Sequence, residues 1–223
     1  MANEASITID DARALVSDRT FWPLVRGFLW DFAPQIHASW LEGIASPLVS
    51  SLSSSPRVKQ FILSSLGVGP LFHVFPKGDW SRIALLDGTT LESIAKWLGA
   101  LACADELRRV TSGATVRELK AELSGVYPEV FGFTAYFKGI DFQIRDIESQ
   151  NRPSVVKDVV SRGVSVIFSL VGSLPEPLVS RLRLKLPKDL CDSTPLRLKP
   201  EACGKAFAKL LKLKFPEAYK ICC

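Results

Sequence analysis

One stretch constrains this chain more than any other. From Leu86 to Val110 it reads L-D-G-T-T-L-E-S-I-A-K-W-L-G-A-L-A-C-A-D-E-L-R-R-V. Asp87-Gly88 is a turn signal, and Thr89 followed by Glu92 has the spacing of a capping box. Leu91, Ile94, Ala95, Leu98, Leu101 and Ala102 then recur at helical spacing and share one face. Trp97 and Leu107 widen that face, and Arg108-Arg109 lie near its C-terminal end, where cations suit the helix dipole. A helix this apolar must be covered by other helices, so the chain is expected to be mostly α-helical and compact.

The remaining patterns agree. Phe21, Leu24, Val25, Phe28 and Phe32 have helical spacing, and Pro34 interrupts them. Pro56 suits the first position of a helix that Gly67 closes. Thr115 and Glu118 form a second capping-box pattern, ahead of a helix ending at Gly125. Ser154 to Val171 is a long, valine-rich helical run, and Pro200 to Tyr219 forms the last one. The serine-rich segment 46–55 reads as a loop or boundary, and Gly67–Gly78 as a loop with an apolar middle. Residues 141–147 alternate, so strand and helix compete there. Alternation at 181–186 and 196–199 allows at most one small β-hairpin in the C-terminal third. With 223 residues the chain buries roughly 70% of its unfolded surface, enough for one full domain. The expected division is an N-terminal helical extension over 1–30 and one helical domain over 31–223, with a boundary possible at 46–55.

Charge is unevenly spread. Up to residue 151 there are 14 Lys+Arg against 17 Asp+Glu; from Arg152 on there are 14 against 6. A basic final third suits an acidic protein partner, a phosphate backbone or an anionic membrane surface; a solvated face is the plain alternative. On the last helix Lys205, Lys209 and Lys212 project to one side, and Arg181, Arg183 and Lys185 form a second row if their stretch is extended. These six are the candidate partner-binding residues. The basic third has only Phe168, Phe207, Phe215 and Tyr219 as aromatics, all at apolar-face spacing, which argues against single-stranded nucleic acid.

No chemistry-bearing constellation emerges. There is no G-x-S-x-G elbow, no C-x-x-C and no phosphate-loop motif. His37 reads as a structural histidine and His73 as a loop residue. The five cysteines, Cys103, Cys191, Cys203, Cys222 and Cys223, suit a reducing compartment better than a disulfide framework. Neither metal nor cofactor is expected. The acidic first ten residues lack the apolar core of a secretory signal, and the run from Gly163 to Leu174 is too short to span a bilayer.

Three stretches together resemble the SctK/YscK family of type III secretion proteins. The first is F-A-P-Q-I-H-A-S-W-L, with Phe32, Pro34, His37 and Trp40 at the family's N-terminal spacing. The second is W-L-G-A-L-A-C-A-D-E-L-R-R-V, and the third is S-R-G-V-S-V-I-F-S-L-V-G followed by L-V-S-R-L-R-L-K-L-P and a basic helix. They cover most of residues 30–223, with the N-terminal residues and the 46–55 segment departing from the pattern. The resemblance implies a non-enzymatic cytoplasmic adaptor of the sorting platform, at the cytosolic face of the inner membrane. Such adaptors join the cytoplasmic domain of the SctD-type inner-membrane ring to the SctQ-type pod protein, and through it the SctL-type stator and the ATPase. The residues by themselves leave a helical hydrolase or a protein of nucleic-acid or membrane surfaces as the alternative.

Overall fold

A computed structural model describes residues 21–68, 80–140, 155–191 and 199–223. The helices in chain order are α1 (Phe21–Leu29), α2 (Ser46–Ser50), α3 (Pro56–Ser65), α4 (Gly88–Ala102), α5 (Ala104–Arg108) and α6 (Gly113–Glu122). They continue with α7 (Val130–Phe133), α8 (Val155–Val171), α9 (Glu176–Leu184), α10 (Lys188–Cys191), α11 (Pro200–Lys214) and α12 (Pro216–Cys222). Four 3-10 turns, at Ala33–Gln35, Ala38–Trp40, Ser81–Leu85 and Thr134–Phe137, punctuate them. No strand occurs among the described residues, so the mostly helical fold is as expected.

The chain groups into two compact units, each discontinuous in sequence. The first combines residues 1–88, 174–188 and 221–223; the second combines 89–173 and 189–220. The helix α1, assigned above to an extension, contributes Val25 and Phe28 to the first unit's core, where both are fully buried beside Phe32. Ile36, Leu52, Ile62, Ala84, Leu85, Leu178 and Leu184 complete that core. Thus α9 returns from far along the sequence to close the unit.

The second unit is built around α4 as the periodicity requires. Leu91, Ile94, Ala95, Leu98, Leu101 and Ala102 are all buried, and so are Trp97, Gly99 and Ala100. A Cβ on Gly99 would lie 1.9 Å from the Val159 carbonyl oxygen, and one on Gly163 would lie 1.8 Å from that of Ala95. Hence α4 and α8 touch backbone to backbone, a distance only glycine allows. On α8 the Asp158 carboxylate accepts from Arg162 Nε at 3.0 Å, with both side chains 6% exposed. Phe207, Leu210 and Leu211 bring α11 into the same unit's interior.

Several local readings change. Residues 181–186 are not extended: Arg181 to Leu184 complete α9 and Lys185 caps it in helical geometry. The alternating leucines mislead because the buried row is Leu178, Arg181, Leu182 and Lys185, a helical row only when the two cations count as interior. The partner segment 196–199 lies, but for Lys199, outside the described residues, as do 141–147, His73 and most of the Gly67–Gly78 loop. Residues 46–50 form α2 rather than loop, with Pro47 in its first turn. The capping boxes are displaced. Helix α4 already begins at Gly88, and Glu92 pairs with Lys96 at 3.0 Å. Helix α6 is capped by Ser112, whose side chain accepts from the Thr115 amide. The last helix divides, because Pro216 forces Phe215 out of helical geometry (φ −132, ψ 62) and α12 starts anew.

Candidate partner-binding surfaces

In the first unit, the motif residues Phe32, Pro34, His37 and Trp40 form a seat for the end of α9. Phe32 is fully buried, and the exposed Pro34 is the second residue of the 3-10 turn Ala33–Gln35. His37 donates its amide to the Leu184 carbonyl at 2.8 Å, and its Nδ1 accepts from the Ser39 amide, capping the next turn. Ser39 Oγ accepts from the Lys188 amide at 2.9 Å. Trp40 Nε1 donates to the Leu186 carbonyl at 2.8 Å, and Lys188 Nζ lies 5.7 Å from the Trp40 ring centre. Trp40 is only half-buried, at the edge of the core rather than within it.

Arg181 and Lys185 are interior, at 5% and 2% exposure, so neither contributes to a surface row. Arg181 donates to the Phe28 carbonyl and to that of Leu29, and its guanidinium lies 5.1 Å from the Phe32 ring centre. Lys185 Nζ donates to the carbonyls of Ala84 and Leu86 at 2.7 and 2.8 Å and lies 5.2 Å from the Phe28 ring centre. Burial pushes the Lys185 ammonium from its ordinary 10.5 down to about 7, with the Asp87 carboxylate opposing and Arg181 assisting. Burial likewise lowers the Arg181 guanidinium to about 10. These two cations hold α9 against α1 and the 3-10 turn Ser81–Leu85; they belong to the architecture. Arg183 stays exposed.

In the second unit, Lys205, Lys209 and Lys212 of α11 are all exposed, as their spacing predicts. They are not equivalent. Lys205 is tied to Glu201 at 2.7 Å, one turn earlier, so an acidic residue does open this row. Lys209 and Lys212 have no ion-pair partner among the described residues. Lys214 turns inward, 4.7 Å from the Trp97 ring centre and 4.4 Å from that of Phe133, and pairs with Glu129 at 2.8 Å. Lys209 Nζ lies 6.0 Å from the Phe137 ring centre. The segment Val130–Phe137 therefore lies along α11.

Sequence reasoning missed the apolar side chains left in water. Trp30 and Phe61 of the first unit are 57% and 61% exposed; Tyr136 and Leu213 of the second are 54% and 42%. The Trp30 ring lies tilted against that of Trp22, centres 5.7 Å apart, and the Trp30 carbonyl accepts from Lys59 Nζ. The signal for Leu213 was in the sequence: it sits on the lysine side of K-L-L-K-L-K, where amphipathicity calls for a polar residue.

Three of the buried thiols are poor nucleophiles. Burial pushes Cys103 and Cys222 up to about 12 and Cys203 to about 11, and such groups stay protonated. No helix among the described residues is long and apolar enough to cross a membrane, and no described cluster of three His, Cys, Asp or Glu has metal-site grouping.

What the two units present, among the described residues, is helices with exposed large apolar side chains and exposed cations. The chain belongs to the YscK family (YOP proteins translocation protein K), whose model matches residues 28–223, and is thereby a type III secretion protein. No curated protein and no solved structure matches it.

Proposed function

We propose that this chain is a non-enzymatic adaptor of the type III secretion sorting platform, linking the cytoplasmic domain of the SctD-type ring to the SctQ-type pod protein. The SctL-type stator and the ATPase are reached through the pod, and the chain works in the cytoplasm at the inner membrane. The family match over 28–223 carries this reading. Its support in the molecule is the presence of two compact units, each with its own pair of exposed large apolar side chains. Two separate docking surfaces are what a linker needs, and exposed aromatics commonly anchor such interfaces. The test is a pull-down of the full chain with the purified ring domain and, separately, with the purified pod protein. Capture of both supports the adaptor; capture of neither refutes it.

A further inference from the structure

The outer face of α11 carries an arrangement that solubility alone does not call for. Lys209 stands at i to Lys212 at i+3 and Leu213 at i+4, so it neighbours both on the exposed side of the helix. Leu213 is 42% exposed, on a helix whose other large apolar side chains, Phe207, Leu210 and Leu211, are buried. The remaining lysines of α11 and α12 have acidic partners: Lys205 with Glu201, Lys214 with Glu129 and Lys220 with Glu217. Among the described residues Lys209 and Lys212 have none. Lys209 lies one turn before Leu213 on that face, with Lys212 on its far side.

The surface continues past the helix. Lys209 approaches Phe137, and Lys214 packs over Phe133, whose ring centre is 5.7 Å from that of Tyr136. Tyr136 is 54% exposed. An exposed apolar side chain beside two cations with no acidic partner among the described residues is complementary to an apolar side chain beside carboxylates.

We infer that this face docks an acidic amphipathic segment of a protein partner, with one apolar side chain set against Leu213 and Tyr136 and carboxylates meeting Lys209 and Lys212. The inference rests on the adaptor reading and names the chemistry of one of its two partners. The carboxylates govern mainly the association rate, because charge steers encounter and is screened within about 8–10 Å at physiological salt. The leucine contact governs dissociation, as affinity differences in related complexes mostly do.

The experiment measures association and dissociation of the full chain with the purified ring domain and the purified pod protein, across a salt series. Wild type is compared with K209E/K212E, L213S and the control K220Q. All substituted side chains are exposed, and circular dichroism verifies the fold of each. The expected result is that one partner binds K209E/K212E with an association rate at least about tenfold lower at low salt. Its salt dependence flattens, L213S dissociates faster, and K220Q matches wild type. Unchanged kinetics in both variants with a partner that wild type binds overturns the docking inference and leaves the adaptor reading standing. Failure of wild type to bind either partner overturns both. Two other outcomes also overturn the inference: variants that keep both protein partners but lose binding to phosphatidylserine vesicles, and variants that lose only self-association in sedimentation equilibrium.

Discussion

Gly99 and Gly163 face each other where α4 and α8 cross, each backbone so close to the other helix that neither position has room for a Cβ. The obstructing atoms are main-chain carbonyl oxygens, which cannot rotate aside. Gly99→Ala or Gly163→Ala must push the helices apart along their whole contact. Overpacking usually costs about 1–3 kcal/mol, and this rigid crossing belongs at or above the top of that range. Chemical denaturation of each variant checks this; a loss under about 1 kcal/mol would mean the helices separate freely.

Lys185 gives the fold a pH dependence of definite sign. Its ammonium is lowered to about 7 in the folded chain from an ordinary 10.5. Between those values the unfolded chain holds more protons, so stability rises with pH, at up to roughly 1.4 kcal/mol per unit. Below about 7 the residue is protonated in both states and its contribution is flat. Urea unfolding at pH 7 and pH 9 should show wild type gaining stability relative to Lys185→Met. Parallel curves for the two proteins would show that Lys185 keeps an ordinary affinity for its proton.

The Asp158–Arg162 pair on α8 is buried on both sides. Removing one partner strands a charge in the interior, so Asp158→Ala should cost about 3–5 kcal/mol. Replacing both, as Asp158→Leu with Arg162→Met, should cost much less, since a well-packed apolar pair avoids the desolvation of two ions. A double-mutant cycle checks this, and two additive losses would argue against coupling.

Trp40 is tied to the chain beyond α9 by one hydrogen bond, Nε1 to the Leu186 carbonyl. Trp40→Phe keeps much of the ring packing and leaves that carbonyl without its donor, a loss of about 1–2 kcal/mol. Thermal unfolding reads it; an unchanged midpoint with lost partner binding would make Trp40 an interface residue instead.

How legible this was depended on whether a residue's chemistry matched its place. The α4 core was readable because Leu91, Ile94, Ala95, Leu98, Leu101 and Ala102 are both apolar and buried. The exposure of Lys205, Lys209 and Lys212 was readable for the converse reason. Residues 178–186 were not, because α9 buries Arg181 and Lys185 and leaves the leucines looking like a strand. The two-unit division was equally hidden: α9 joins the first unit through contacts such as Lys185 to Ala84 and Leu86, about a hundred residues apart. Of the candidate surface, the lysines showed in the sequence. The difference between Lys205, paired with Glu201, and Lys209 and Lys212, with no ion-pair partner among the described residues, needed side-chain geometry.

The central claim is that one chain holds two partners at once. Light scattering coupled to size exclusion, with the full chain, the ring domain and the pod protein mixed, tests it most directly. The adaptor reading predicts a complex containing all three, absent when this chain is left out. Separate binary complexes that exclude one another, with no ternary species at any ratio, would contradict it.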